Sequence, residues 1–148
     1  MKRQAGFSLI ELMTAIAIIA ILAAIATPNV FTWVATQRFN SGVRDVQATV
    51  QSMRLFALKE NSEATIRFFT NGTYYETVKW KRGLGAVPLP ERQTLPTGVT
   101  VSSTTFTAGE LKFNSRGMAD AAGTITITGQ VGNPININVT LTGRAQIQ

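Results

Sequence analysis

Residues 7–27 form an apolar run with a single ionisable side chain, Glu11, and no other feature constrains the chain so strongly. As a helix this run would rise about 1.5 Å per residue and span roughly 30 Å, the hydrocarbon thickness of a bilayer. Lys2 and Arg3 precede it and would hold that end on the cytoplasmic side. A carboxylate in hydrocarbon costs about 2.5–3.5 kcal/mol at a helix centre and less near an end. Glu11 therefore needs a reason. It can snorkel to the headgroups or sit protonated, or it can meet a positive charge inside the membrane. An amino terminus created by a cut just before Phe7 would supply that charge, and the helix N-terminal dipole would favour the carboxylate at the same place.

Two other readings compete for this stretch. Ala24-Ile25-Ala26 offers the small-x-small site of a secretory signal peptide. Against it, the run exceeds the usual core of roughly 7–15 residues, and an early carboxylate gives that machinery nothing. A plain membrane anchor explains the length but neither Gly6-Phe7 nor Glu11.

Gly6-Phe7-Ser8-Leu9-Ile10-Glu11-Leu12 resembles the class III signal of type IV pilins and type II secretion pseudopilins. The resemblance implies that a prepilin peptidase cuts between Gly6 and Phe7 and methylates the new amine of Phe7. It implies that Glu11 pairs with a neighbouring subunit's amine during filament assembly. Pro28 resembles the proline that bends the family's long first helix. The expected division is a leader at 1–6, a transmembrane and filament-core helix at 7–28, and a soluble domain at 29–148. The implied location is the bacterial inner membrane, single-pass with the C-terminal domain periplasmic, and then a pilus or pseudopilus. The implied partners are other pilin or pseudopilin subunits, the prepilin peptidase, an inner-membrane assembly platform and membrane lipids.

With 148 residues, the chain has room after the leader and anchor for one domain of ordinary size. Cysteine is absent, so packing and not disulfides must hold that domain. Histidine is absent too, which removes the usual zinc sites, Ser-His-Asp triads and Cys-His pairs. Glu60, Glu63 and Asp120 then read as solvated or capping groups. Gly83-Leu84-Gly85 lacks the Gly-Lys-Ser/Thr ending of a phosphate loop. No enzyme, no cofactor and no metal is expected. Without Lys2 and Arg3, the 14 basic side chains fall to 12 against 8 acidic ones, a balance of +4. That serves solubility or, alternatively, an anionic partner such as DNA or lipid headgroups.

Pro28 lacks an N–H and should kink the helix without ending it. Beyond it, Phe39, Val43, Val46, Val50, Met53 and Ala57 recur at steps of four and three, one face of an amphipathic helix. This predicts helix over 29–60, with Gly42 a weak point costing about 1 kcal/mol relative to alanine. The period then changes, and residues 63–148 read as β-rich. Residues 64–69 alternate, Asn71-Gly72 marks a hairpin, and residues 73–80 return. Residues 81–96, with Pro88, Pro90 and Pro96, read as a loop. Further strands are expected at 99–103, 110–113, 124–128 and 135–141, the last closing the sheet with one face apolar. A helix followed by consecutive strands is α+β: a long helix, half membrane and half amphipathic, packed on an antiparallel sheet, as in pilins.

Three later stretches resemble the FimT and pseudopilin H branch of that family: Gln51-Ser52-Met53-Arg54-Leu55-Phe56-Ala57-Leu58-Lys59, Leu111-Lys112-Phe113-Asn114-Ser115-Arg116-Gly117, and Leu141-Thr142-Gly143-Arg144. This implies a minor subunit of a type IV pilus or type II secretion pseudopilus, priming assembly or sitting near the tip. The alternative function is a DNA-binding minor pilin, a receptor in DNA uptake. Some FimT-like pilins bind DNA through Gly-Arg-x-Arg; here Gly143-Arg144-Ala145-Gln146 lacks the second arginine. Lys79, Lys81 and Arg82 around Trp80 are a second candidate DNA contact.

Overall fold

A computed structural model describes residues 7–80 and 88–148; inside its helix, the side chains of residues 25–29 are not described. One helix, α1, runs Leu9–Glu60. It passes through position 28, so the proline does not end it. Contacts divide the chain into two compact units, Met1–Val34 and Ala35–Gln148.

In the first unit every side chain from 7 to 24 is exposed. Among the described residues, no helix is long and apolar enough to cross a membrane. The expected transmembrane span at 7–28 includes residues whose side chains lie outside the described set.

In the second unit the helical stripe is the core. Phe39, Val43, Val46, Val50, Met53 and Ala57 are all buried. Steps of four and three keep these six on one side of a helix that turns every 3.6 residues. Gly42 also lies against the core. A Cβ there would come within 3.0 Å of Val99 Cγ1 and 3.2 Å of Pro96 Cδ. The glycine thus costs helix propensity and admits a close approach.

The strands form two antiparallel sheets of four strands each, where consecutive strands had suggested one. The first comprises β1 (Ala64–Phe68), β2 (Tyr74–Lys79), β3 (Glu91–Thr94) and β5 (Glu110–Phe113), in the order β3-β2-β1-β5. The second comprises β4 (Thr100–Thr104), β6 (Gly123–Thr128), β7 (Ile135–Val139) and β8 (Ala145–Ile147), in the order β4-β6-β7-β8. Their buried faces belong to the same core as the helix: Ile66, Phe68, Leu111 and Phe113 from one, Val101, Ile125, Ile127 and Ile137 from the other. The Asn71-Gly72 turn joins them. Asn71 donates to Val101 O at 2.7 Å, and Val101 donates back to Gly72 O at 3.1 Å.

Three expectations are corrected. β3 lies inside the expected loop at 81–96; it is a polar edge strand between prolines and shows none of the alternation that marks a half-buried strand. Residues 81–87 of that loop, including Gly83-Leu84-Gly85, lie outside the described residues. The strand at 135–141 stops at Val139, Leu141 is exposed, and the sheet closes on β8.

Candidate functional site

At the N-terminal end, Phe7 is 83% exposed and the helix begins two residues later. Glu11 and Leu12 donate their backbone N–H groups to Ser8 O at 3.1 and 3.2 Å, closing the first turn. Glu11 is the acidic residue of that turn. It stands where unpaired amides and the helix dipole make the environment positive. Gly6 lies outside the described residues, as does the Pro28 side chain.

The candidate DNA contacts are not brought together by the described structure. Lys79 Nζ is paired with Glu91 Oε2 at 3.0 Å. Lys81 and Arg82 lie outside the described residues. Arg144 is exposed and sits in the turn between β7 and β8. Its N–H bonds Thr140 Oγ1 at 3.3 Å, and its carbonyl accepts from Thr140 N at 3.0 Å. A two-point backbone grip of this kind fixes the turn.

The outer face of the first sheet holds an ionic row that sequence reasoning missed. Glu110, Arg67, Glu76 and Arg92 stand directly opposite one another across β5, β1, β2 and β3. Arg67 donates through Nε and Nη2 to Glu110 Oε1 at 2.9 and 2.7 Å. Lys112 Nζ reaches the other oxygen at 3.0 Å. Arg67 and Arg92 flank Glu76 at 4.0 and 3.8 Å, and Arg92 lies 4.0 Å over the Tyr74 ring. Hydrogen bonds from Lys112 and then Arg67 hold the Glu110 carboxyl below its ordinary range, and Glu110 raises the Lys112 ammonium in turn. The signal was one charged residue on each of four strands, Glu110, Arg67, Glu76 and Arg92, and it forms a row only once the register is known.

The three later stretches singled out in the sequence meet at one point. Arg54 Nε donates to Gly117 O at 3.1 Å. Gly143 faces both: a Cβ there would lie 2.4 Å from Gly117 O and 2.9 Å from Arg54 Cδ. Gly143 and Gly117 have φ of +76° and +67°, which favour glycine. Gln47 Nε2 adds a bond to Ala145 O at 3.1 Å. These stretches pin the amphipathic half of α1 to a turn after β5 in one sheet and the β7–β8 turn in the other.

A polar groove of about 340 Å³ is lined by Asp45, Thr49, Ser52, Tyr75 and Gln93. The Tyr75 hydroxyl shares a 2.8 Å hydrogen bond with Thr49 Oγ1. Burial pushes its phenol up, and Asp45 adds to the rise while the Thr49 bond opposes it. The groove contains neither histidine nor cysteine, since the chain has none. Among the described residues, no cluster of acidic side chains could hold a metal ion.

The profile of the type II transport protein GspH matches residues 42–143. The chain belongs to the GspH family. The prokaryotic N-terminal methylation motif matches residues 1–27. Two solved structures share the fold. The type IV minor pilin FimU of Pseudomonas aeruginosa is 16% identical, with a TM-score of 0.61 over 76% of this chain and 90% of FimU. The minor pseudopilin EpsH of the Vibrio cholerae type 2 secretion system is 11% identical, with a TM-score of 0.60 over 75% of this chain and 96% of EpsH. No curated protein sequence matches the chain. This GspH-family chain is a minor pilin or pseudopilin subunit that assembles with other such subunits.

Proposed function

We propose that this subunit is cut between Gly6 and Phe7, methylated at Phe7, and held in the inner membrane by residues 7–28 with residues 29–148 in the periplasm. From there the apolar helix passes into a pilus or pseudopilus, where the subunit primes assembly or sits near the tip. The prepilin peptidase and the inner-membrane assembly platform act on it in turn. The observation that carries this reading is the row of exposed apolar side chains at 9–24 with one carboxylate in its first turn. Apolar surface of that extent is unstable in water and calls for lipid or for neighbouring helices. Ala15, Ala20, Ala23 and Ala24 keep the run slim enough for such helices to approach closely. Glu11 adds direction, because a carboxylate leaving lipid for the filament gains a partner in a neighbouring subunit's Phe7 amine.

Glu11→Leu is the test. The substitution removes the group that is costly in lipid, so membrane insertion stays at the wild-type level or rises. Incorporation into sheared filaments falls by about tenfold or more, the equivalent of losing roughly 1.4 kcal/mol of guiding attraction. Equal incorporation of Glu11→Leu and wild type would refute the pairing.

A further inference from the structure

Val30, Phe31 and Trp33 are 54%, 70% and 62% exposed, although the next aromatic along the helix, Phe39, is buried in the core. Single exposed apolar residues need no explanation, but these three lie within four positions. At about 100° per residue they share an arc of roughly 160°. We infer that Phe31 and Trp33 are an interfacial anchor, seated among the lipid headgroups on the periplasmic side of the membrane. The inference rests on the membrane-anchor reading above and adds where the helix stops.

The axial distance carries the argument. Phe7 and Trp33 belong to the same compact unit and are 26 residues apart. As helix this is about 39 Å, against roughly 40–45 Å for a bilayer including its headgroup regions. Residues 7–27 fill the hydrocarbon. With Phe7 at the cytoplasmic edge, Trp33 arrives at the opposite interface. Its chemistry suits that depth: the indole is a broad apolar ring with one N–H donor, and the headgroup zone supplies carbonyl and phosphate acceptors beside acyl chains. Trp is enriched at membrane–water interfaces for this reason. Phe31, which has no polar edge, lies two residues nearer the hydrocarbon. Neighbouring subunits in a filament are the rival cover for this face, and a vesicle containing no other subunit separates the two.

The chain has two tryptophans, Trp33 and Trp80, so the full-length Trp80→Phe protein reports on Trp33 alone. It is reconstituted into phosphatidylethanolamine–phosphatidylglycerol vesicles and floated on a density gradient. The expected result is flotation, Trp33 emission shifted to the blue of its value in urea, and stronger quenching by a nitroxide on the lipid headgroup than by one at the acyl-chain centre. The Trp33→Phe protein, carrying Trp80 alone, is expected to show no quenching by either label. A floating protein whose Trp33 emits as in urea, or is quenched most from the chain centre, overturns the interfacial anchor and leaves the membrane reading standing. Failure to float overturns both.

Discussion

Gly143 offers the sharpest test of how the helix is tied to the sheets. Alanine there must adopt φ of +76°, which costs an L residue about 1–2 kcal/mol. Its Cβ would also lie 2.4 Å from Gly117 O, a backbone atom that cannot swing aside. The two turns must part, straining the charged hydrogen bond from Arg54 to Gly117, worth about 1.5–3 kcal/mol. The expected loss for Gly143→Ala is about 3–5 kcal/mol, a large part of a stability typically near 5–15 kcal/mol. Gly98→Ala is the matched control. It has φ of +83°, but the atoms nearest its Cβ would belong to the Gln130 side chain, which can rotate away. It should cost about 1–2 kcal/mol. Urea unfolding of residues 29–148, followed by circular dichroism, reads both. With a slope near 1–3 kcal/mol per molar, the Gly143→Ala midpoint falls by about 1–5 M and the control, at the same slope, by clearly less, about 0.3–2 M. Equal losses would refute the argument that the approach of the two turns, and not backbone conformation alone, requires glycine at 143.

Acid should weaken the ionic row. The folded Glu110 carboxyl is held below its ordinary value of 4.5, so its contribution is present above that value and is lost as pH falls through the folded one. Because the row faces solvent, the loss is below about 1 kcal/mol, seen as a fall in urea midpoint below pH 4.5 that shrinks in Glu110→Gln; an unchanged acid profile in that variant would count against it. DNA binding should be weak, because among the described candidate contacts Lys79 is paired with Glu91 and Arg144 by itself supplies few phosphate contacts, at a slope of about −0.9 per contact. An anisotropy titration at two salt concentrations is expected to show no micromolar affinity near physiological salt; micromolar binding lost in Arg144→Ala would restore the receptor reading.

The helical stripe was legible because a packed helix buries every third or fourth residue, and all six residues named from spacing are buried. β5 was legible to the residue, since Leu111 and Phe113 alternate with Glu110 and Lys112. β3 and β8 were not. Both are short edge strands whose identity comes from a neighbour's hydrogen bonds and not from their own side chains. The division into two sheets was hidden for the same reason, because strand order is a property of pairing. Gly42 was legible as a helix-breaking residue, but its purpose appears only against Val99 and Pro96. The meeting of Arg54, Gly117 and Gly143 depends on contacts between residues far apart in sequence, 63 positions for Arg54 and Gly117, beyond any local pattern.

The mass of the mature N-terminal peptide tests the central account most directly. Purified from filament-bearing cells, the chain should begin at Phe7 and carry one methyl group on its amine. A chain beginning at Thr27 would mark residues 1–26 as an ordinary secretory signal, and one still beginning at Met1 would mark them as a plain anchor; either would contradict assembly through Phe7 and Glu11.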